Sequence, residues 1–410
     1  MTGKFFATTR TQTTRWLGLV LLMFAAAFGL IWLSKPTNLW HKRPILTWNA
    51  AAVGTGCGRF LPLPPHPKQY PHPSPFTPPS SILPPRPPRY AVHTLYLDDT
   101  VAHLAAEAGF DTIVQVFPWS EINPERGRIV WRAPDDMVQN AQRYGLNLII
   151  RLDMPPEWAK RDVTAGVPFD LPAYADYITA VASRYRGLIR GYIIWNEPNL
   201  AAEWSHSGGN LPDHFQRYDG WVADPADYVG VLGVAKERLH QADPTALVIG
   251  GGLAPTNENS PRAMDDRLFL QAMLAAGAAD CFDILAVHDY GYGLSPDSHR
   301  TVQSGLNLAR ITYLHDILLA YNTPKPVWIT ELGYTIHPGD QPAVSAELQA
   351  EYLLGARQRV AQEWPWVKLF TVWNLVYGRA PEDEMSGFSL INPDGTPRLA
   401  YRLWQTVGER

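Results

Sequence analysis

The stretch Gly191-Tyr-Ile-Ile-Trp-Asn-Glu-Pro-Asn199 constrains this chain more than any other. A short β-branched and aromatic run is the pattern of a buried strand, and this one ends in an amide, a carboxylate and a proline. Asn196 and Glu197 are costly inside a core unless they stand at its rim. Pro198 cannot donate to a central sheet, so the strand stops there and leaves Glu197 at its C-terminal end. In a parallel α/β protein that end faces the cleft built by the loops, which makes Glu197 a candidate working acid.

A second stretch, Val327-Trp-Ile-Thr-Glu-Leu-Gly-Tyr334, repeats the pattern: an apolar strand ending in a carboxylate, Glu331, then a glycine-containing turn. Hydrolysis of a glycosidic bond needs two such carboxyls, one to protonate the leaving oxygen and one to attack or to activate water. Together, Trp195-Asn-Glu-Pro198 and Glu331 in a Thr-Glu-Leu-Gly setting resemble the retaining glycoside hydrolases of clan A. Trp-Asn-Glu-Pro-Asn-Leu followed by Trp204 is most similar to family 39, which includes β-xylosidases and exopolysaccharide hydrolases. The resemblance covers roughly residues 90 to 407.

That resemblance implies a (β/α)8 barrel with Glu197 as acid/base at the end of strand 4 and Glu331 as nucleophile at the end of strand 7. It further implies that Asn196 binds the sugar 2-hydroxyl and that His288 and Tyr290 end strand 6, with the Tyr290 hydroxyl on the nucleophile. Trp373 would floor the sugar site and Trp158 would wall the cleft. One departure stands out: where clan members carry an arginine on strand 2, this chain has Gln115. Arg151, at the end of strand 3, either supplies that charge or forms a structural ion pair with Asp153. The long segment 199–224 is rich in Trp, His, Gly and Asp, which suits a substrate-covering loop; Trp204 and Trp221 are either sugar platforms or local packing.

The rest of the chain accommodates this reading. With 410 residues and 46% hydrophobic content it can bury a barrel core, and a net charge of −4 argues against a nucleic-acid partner. The two cysteines, Cys57 and Cys281, are too few for a disulfide framework. No cluster of ligands calls for a metal, and no other cofactor is implied. Strands are expected at 90–94, 112–117, 147–152, 247–251, 284–288 and 367–373 besides the two already named, with helices at 99–108, 172–185, 225–242, 345–363 and 398–407. Gly250-Gly-Gly252 is expected to permit close backbone packing.

Ahead of the barrel, residues 1–15 are a basic segment and 16–34 read as a transmembrane anchor, with a signal peptide as the other reading. As a helix its uncharged core rises about 27 Å against a hydrocarbon thickness of about 30 Å. Basic residues flank it on both sides, so charge does not orient it. Residues 35–89 form a linker, and 13 of the 29 residues from 61 to 89 are proline, which makes that part a semi-extended stalk. The expected protein is therefore a single-pass cell-membrane protein whose extracytoplasmic barrel acts on a carbohydrate. A barrel that binds polysaccharide without cleaving it, a reading favoured by Gln115 in place of the arginine, would show saturable glycan binding without new reducing ends, and one that only scaffolds partners would leave Glu197 and Glu331 far apart or buried against cations.

Overall fold

The computed structural model describes residues 88–161, 166–205, 224–260, 262–298, 305–339, 341–377 and 383–408. The anchor, most of the stalk, Cys57 and Trp221 lie outside the described residues. Among those described, no helix is long and apolar enough to cross a membrane.

Eight parallel strands close into a barrel: β1 (Arg89–Thr94), β2 (Thr112–Pro118), β3 (Asn147–Asp153), β4 (Ile189–Ile194), β5 (Leu247–Leu253), β6 (Ile284–Tyr290), β7 (Val327–Gly333) and β8 (Val367–Val372). Each is followed by a helix: α1 (Asp99–Glu107), α2 (Arg132–Arg143), α3 (Leu171–Arg184), α4 (Pro225–Ala242), α5 (Asp266–Ala275), α6 (Arg310–Ala320), α7 (Ala346–Glu363) and α8 (Leu399–Gly408). The expected strands and five expected helices are present within a few residues. Helices α2, α5 and α6 were not anticipated. A two-stranded hairpin, Asn259–Ser260 with Ala263–Met264, sits in the loop after β5. Aspartates and a serine begin many of the helices; Asp98, Asp170, Asp224, Asp265 and Ser345 each accept a main-chain N–H from the first turn.

Two cores hold this together. The larger lies between strands and helices. The smaller fills the barrel itself and takes side chains from all eight strands, including Ala91, Val114, Ile149, Ile193, Trp328 and Leu369. Strand side chains alternate, so the next inward layer toward the C-terminal ends falls two residues further along: His93 on β1, Arg151 on β3 and His288 on β6. The apolar plug thus lies beneath a mouth that holds these polar groups together with a further apolar cluster including Leu95, Val116, Met154, Trp373 and Phe388.

β7 breaks the alternation to good effect. Ile329 pairs with Val287 and Phe370, but the next partners are Glu331 with His288 and Leu332 with Val372, so β7 carries one extra residue against both neighbours. Without this bulge Thr330 would face the mouth; with it, Glu331 does.

The glycine run behaves as expected. A Cβ on Gly251 would stand 2.6 Å from the Ala286 carbonyl oxygen on β6, and its φ of +101° is one that side chains resist. Gly251→Ala is expected to destabilise the barrel by about 2 to 3 kcal/mol, the sum of backbone strain and displaced β6 backbone. A thermal melt is the check, and an unchanged Tm would mean that β5 and β6 do not approach this closely.

Candidate active site

Glu197 follows β4 and Glu331 lies on β7, and each is 1% exposed. One carboxylate oxygen of each, together with a ring nitrogen of His288, all lie within 4.8 Å of one another. His288 stands between them, its Nδ1 2.8 Å from Glu197 Oε1 and 3.7 Å from Glu331 Oε2.

The backbone that presents Glu197 is strained. Trp195 and Glu197 have φ of 70° and 38°, conformations that cost a non-glycine residue roughly 1 to 3 kcal/mol. Neighbouring strands hold them there: the Trp195 N–H donates to Leu152 O and the Glu197 N–H to Gly252 O, both at 3.1 Å. Trp195 turns its ring outward onto Phe169, stacked at 4.5 Å, and the chain then turns Asn196 and Glu197 toward the mouth.

The two glutamates keep different company. On Glu331, Oε1 accepts from Arg151 Nη1 at 2.9 Å and Oε2 accepts from the Tyr290 hydroxyl. His93 Nε2 lies 3.7 Å from Glu331 Oε1, and its ring meets Trp373 edge-on at 4.4 Å. Glu197 has His288 on Oε1, while its buried Oε2 has no hydrogen-bond partner among the described residues. Arg151 does more than either expectation allowed. Its Nε lies 2.9 Å from Asp153 Oδ2, and its Nη1 also donates to Asn196 Oδ1 at 2.8 Å. It is at once the ion pair of Asp153 and the cation on Glu331.

Burial raises the Glu197 carboxyl to about 8, with Arg151 pulling the other way. Burial raises Glu331 too, and Glu197 adds to the rise, but His288, Arg151 and Tyr290 oppose it. Hydrogen bonds and a fixed cation favour the anion on Glu331, while Glu197 lacks the second donor, so the shared proton belongs on Glu197. His288 is pushed down to about 4, first by burial, and His93 well below its ordinary value for the same reason, so both imidazoles are neutral near pH 7. The three close ligand atoms could be read as a cation site. The Arg151 guanidinium already supplies the positive charge to Glu331, and a divalent ion beside it would be repelled.

The remaining expected residues separate. Trp373 sits in the mouth beside His93 and Tyr377. Trp158 is partly buried; its indole N–H donates to Asn123 O, it meets Trp119 edge-on and Arg126 lies 4.7 Å over its ring. Trp204 corrects the platform reading: its ring is fully buried in the outer core among Phe169, Trp195 and Tyr228. Gln115 is occupied locally, accepting from Thr94 Oγ1 and donating to the carbonyls of Leu95 and Val116. Sequence reasoning missed His93, Asp153 as a fixed partner of Arg151, and Glu203, whose Oε2 accepts from Asn196 Nδ2 at 3.1 Å. Alternation from Ala91 would have found His93; a second glutamate six residues after Glu197 was the visible sign of Glu203.

No protein-family model matches the chain, and no curated protein matches it. Solved structures do. A family 39 glycoside hydrolase from Bacteroides cellulosilyticus WH2 superposes with a TM-score of 0.59 at 19% identity, covering 79% of this chain and 64% of that one. The GH39 enzyme from Xanthomonas axonopodis pv. citri gives 0.57 at 17% identity, over 79% of this chain and 67% of that one. The GH10 protein of Paenibacillus barcinonensis gives 0.53 at 18% identity, over 78% and 95%. The fold is that of these glycoside hydrolases. The chain spans 64% of the length of the Bacteroides protein.

Arg151→Met would leave Glu331 and Asp153 buried without their cation and is expected to cost about 3 to 5 kcal/mol near neutral pH. Without Arg151 both carboxyls, already raised by burial, rise further above their unfolded values. The folded state then binds more protons than the unfolded one, so the deficit is smallest at acid pH and grows as pH rises through the raised folded values. Melts from pH 4 to pH 8 measure it; a deficit independent of pH would mean that Arg151 acts by packing alone.

Proposed function

We propose that this chain is a retaining glycoside hydrolase acting on β-linked oligo- or polysaccharide. The observation that carries the reading is the approach of a Glu197 and a Glu331 oxygen to within 4.8 Å at the C-terminal mouth of the barrel. Retaining enzymes hold their carboxyls about 5 to 5.5 Å apart, whereas inverting ones leave about 6.5 to 9.5 Å for a water. The likeness of the fold to family 39 and family 10 structures supports the same reaction class.

Glu331, kept ionised by Arg151 and Tyr290, attacks the anomeric carbon while Glu197 protonates the leaving oxygen. Once Glu331 is an ester its charge is gone, one source of Glu197's raised proton affinity disappears, and Glu197 deprotonates the incoming water. Asn196 offers an N–H to the sugar 2-hydroxyl, and Trp373 borders the same space. The binding-only alternative drew its support from Gln115; the contact of Arg151 with Glu331 removes that support. Residues 16–34 and the stalk support attachment to a membrane, and the polysaccharide substrate, not charge, supports an outer-face position for the barrel. Carbonate extraction of membranes is the check there, and release of the full-length chain into the soluble fraction would defeat the anchor.

General acid/base help is worth about 10² to 10⁴ in rate, or roughly 3 to 5 kcal/mol. Glu197→Gln is expected to lose most turnover on substrates with poor leaving groups, far less on an activated aryl glycoside, and to lose the alkaline limb of the pH profile that the raised Glu197 carboxyl sets. Equal losses on both substrates would contradict the acid/base role. A 2-fluoro glycoside is expected to label Glu331 and to leave Glu331→Gln unlabelled; mass-spectrometric peptide mapping that finds the label on another carboxylate would refute the nucleophile.

A further inference from the structure

Two glutamates suffice for double displacement, yet a third is buried at the same mouth. Glu203 lies on the short helix Ala201–Ser205 and is 3% exposed. Its Oε2 accepts from Asn196 Nδ2 at 3.1 Å, and its main-chain carbonyl accepts the Trp195 indole N–H at 3.0 Å. Its buried Oε1 has no hydrogen-bond partner among the described residues. On the other edge of the Asn196 amide, Oδ1 accepts from Arg151 at 2.8 Å. An amide group has one carbonyl and two N–H donors. With the carbonyl on Arg151 and one N–H on Glu203, Asn196 has a single N–H left to offer.

The charges around Glu203 are as informative as its bonds. Asp153, Glu197, Glu203 and Glu331 are all buried here, and Arg151 is the guanidinium that bonds to this group. Arg151 balances one of the four. If Glu331 is the working anion and Glu197 carries the working proton, a negative Glu203 would be a surplus buried charge with one oxygen lacking a donor among the described residues, which is among the most expensive arrangements a protein can hold.

We propose that Glu203 is a positioning residue held as a neutral carboxylic acid: it latches the Asn196 amide against Arg151 and so reserves one Asn196 N–H for the 2-hydroxyl of the bound sugar. The groups that act on it electrostatically are Glu197, Arg151 and Asp153. Burial first, and then the neighbouring Glu197, push its carboxyl well above the ordinary range, while the Asn196 hydrogen bond and Arg151 oppose them. The proposal rests on the glycosidase reading for its kinetic consequence, but not for its protonation state.

The test uses Glu203→Leu, which keeps bulk but removes the acceptor, and Glu203→Gln, which keeps a neutral acceptor. On an aryl glycoside bearing its 2-hydroxyl, Glu203→Leu is expected to lower kcat/KM about tenfold, the worth of one oriented hydrogen bond realised in the transition state. On the matching 2-deoxy glycoside the loss is expected to shrink to about twofold or less, and Glu203→Gln is expected to recover most of the loss on the first substrate. Equal losses on both substrates, or a Gln variant as poor as the Leu variant, would overturn the latch. Infrared difference spectra of the resting protein at pH 7 are expected to show a protonated-carboxyl carbonyl band in the wild type that Glu203→Gln lacks; identical spectra would overturn the neutral acid. If the wild-type protein cleaves no β-glycoside, the glycosidase reading and the kinetic latch fall together, and the infrared result still decides the protonation state.

Discussion

A single guanidinium makes this barrel mouth possible. Four carboxyls buried together would neutralise or unfold the site unless something inside it carried lasting positive charge. Arg151 does so because its planar fork bonds in several directions at once: Nε faces Asp153, and Nη1 serves both Glu331 and Asn196. A lysine, with one charged atom on a flexible stem, could not fix three partners at set angles. Burial works against the charge on Arg151, and the neighbouring carboxylates, Asp153 and Glu331 foremost, outweigh it, so the group stays charged across any working pH. Asp153, two residues on along β3, completes the ion pair without leaving the strand.

Around that fixed charge, two glutamates of the same chemistry sit in different electrostatic company. Burial does not distinguish them, since both are almost fully enclosed. The difference lies in donors. Glu331 has one on each oxygen; Glu197 has a neutral imidazole on one and no protein partner on the other among the described residues. The anion is therefore best placed on β7 and the proton beside β4. His288 reaches toward both, and since burial disfavours its charge its main service is to orient them.

Much of this was legible in the sequence. The apolar runs ending in Glu197 and Glu331 identified strands and their working ends, because a polar residue at the close of a buried strand has few structural reasons to be there. Trp204 misled for an opposite reason: an indole is as useful to a core as to a sugar, and local pattern does not say on which side of the sheet it falls. Helices α2, α5 and α6 went unread between more emphatic motifs. The bulge in β7 left no mark on composition, although without it alternation from Trp328 would aim Thr330 inward and Glu331 out. His93 was hidden in another way, since its neighbours Glu331 and Trp373 are distant in sequence and adjacent only once the barrel closes; Glu203 lies seven residues from Asn196, and only the turn after β4 brings the two together.

Gln115 shows why a site should be judged by its field rather than by one position. Along β2, Val114 belongs to the barrel interior and Val116 to the apolar cluster at the mouth, so Gln115 between them faces the other way. Its amide ties the rim of β1 to β2 through Thr94 and Leu95, a task that leaves it nothing to offer the carboxylates. The positive charge that Glu331 requires enters instead from the adjacent strand, where Arg151 lies opposite Val116 on one side and Ile193 on the other. Strand β3 lies about 4.8 Å from β2, and from it Arg151 reaches Glu331 at 2.9 Å. In this barrel the cation at hydrogen-bonding distance from the β7 glutamate comes from β3.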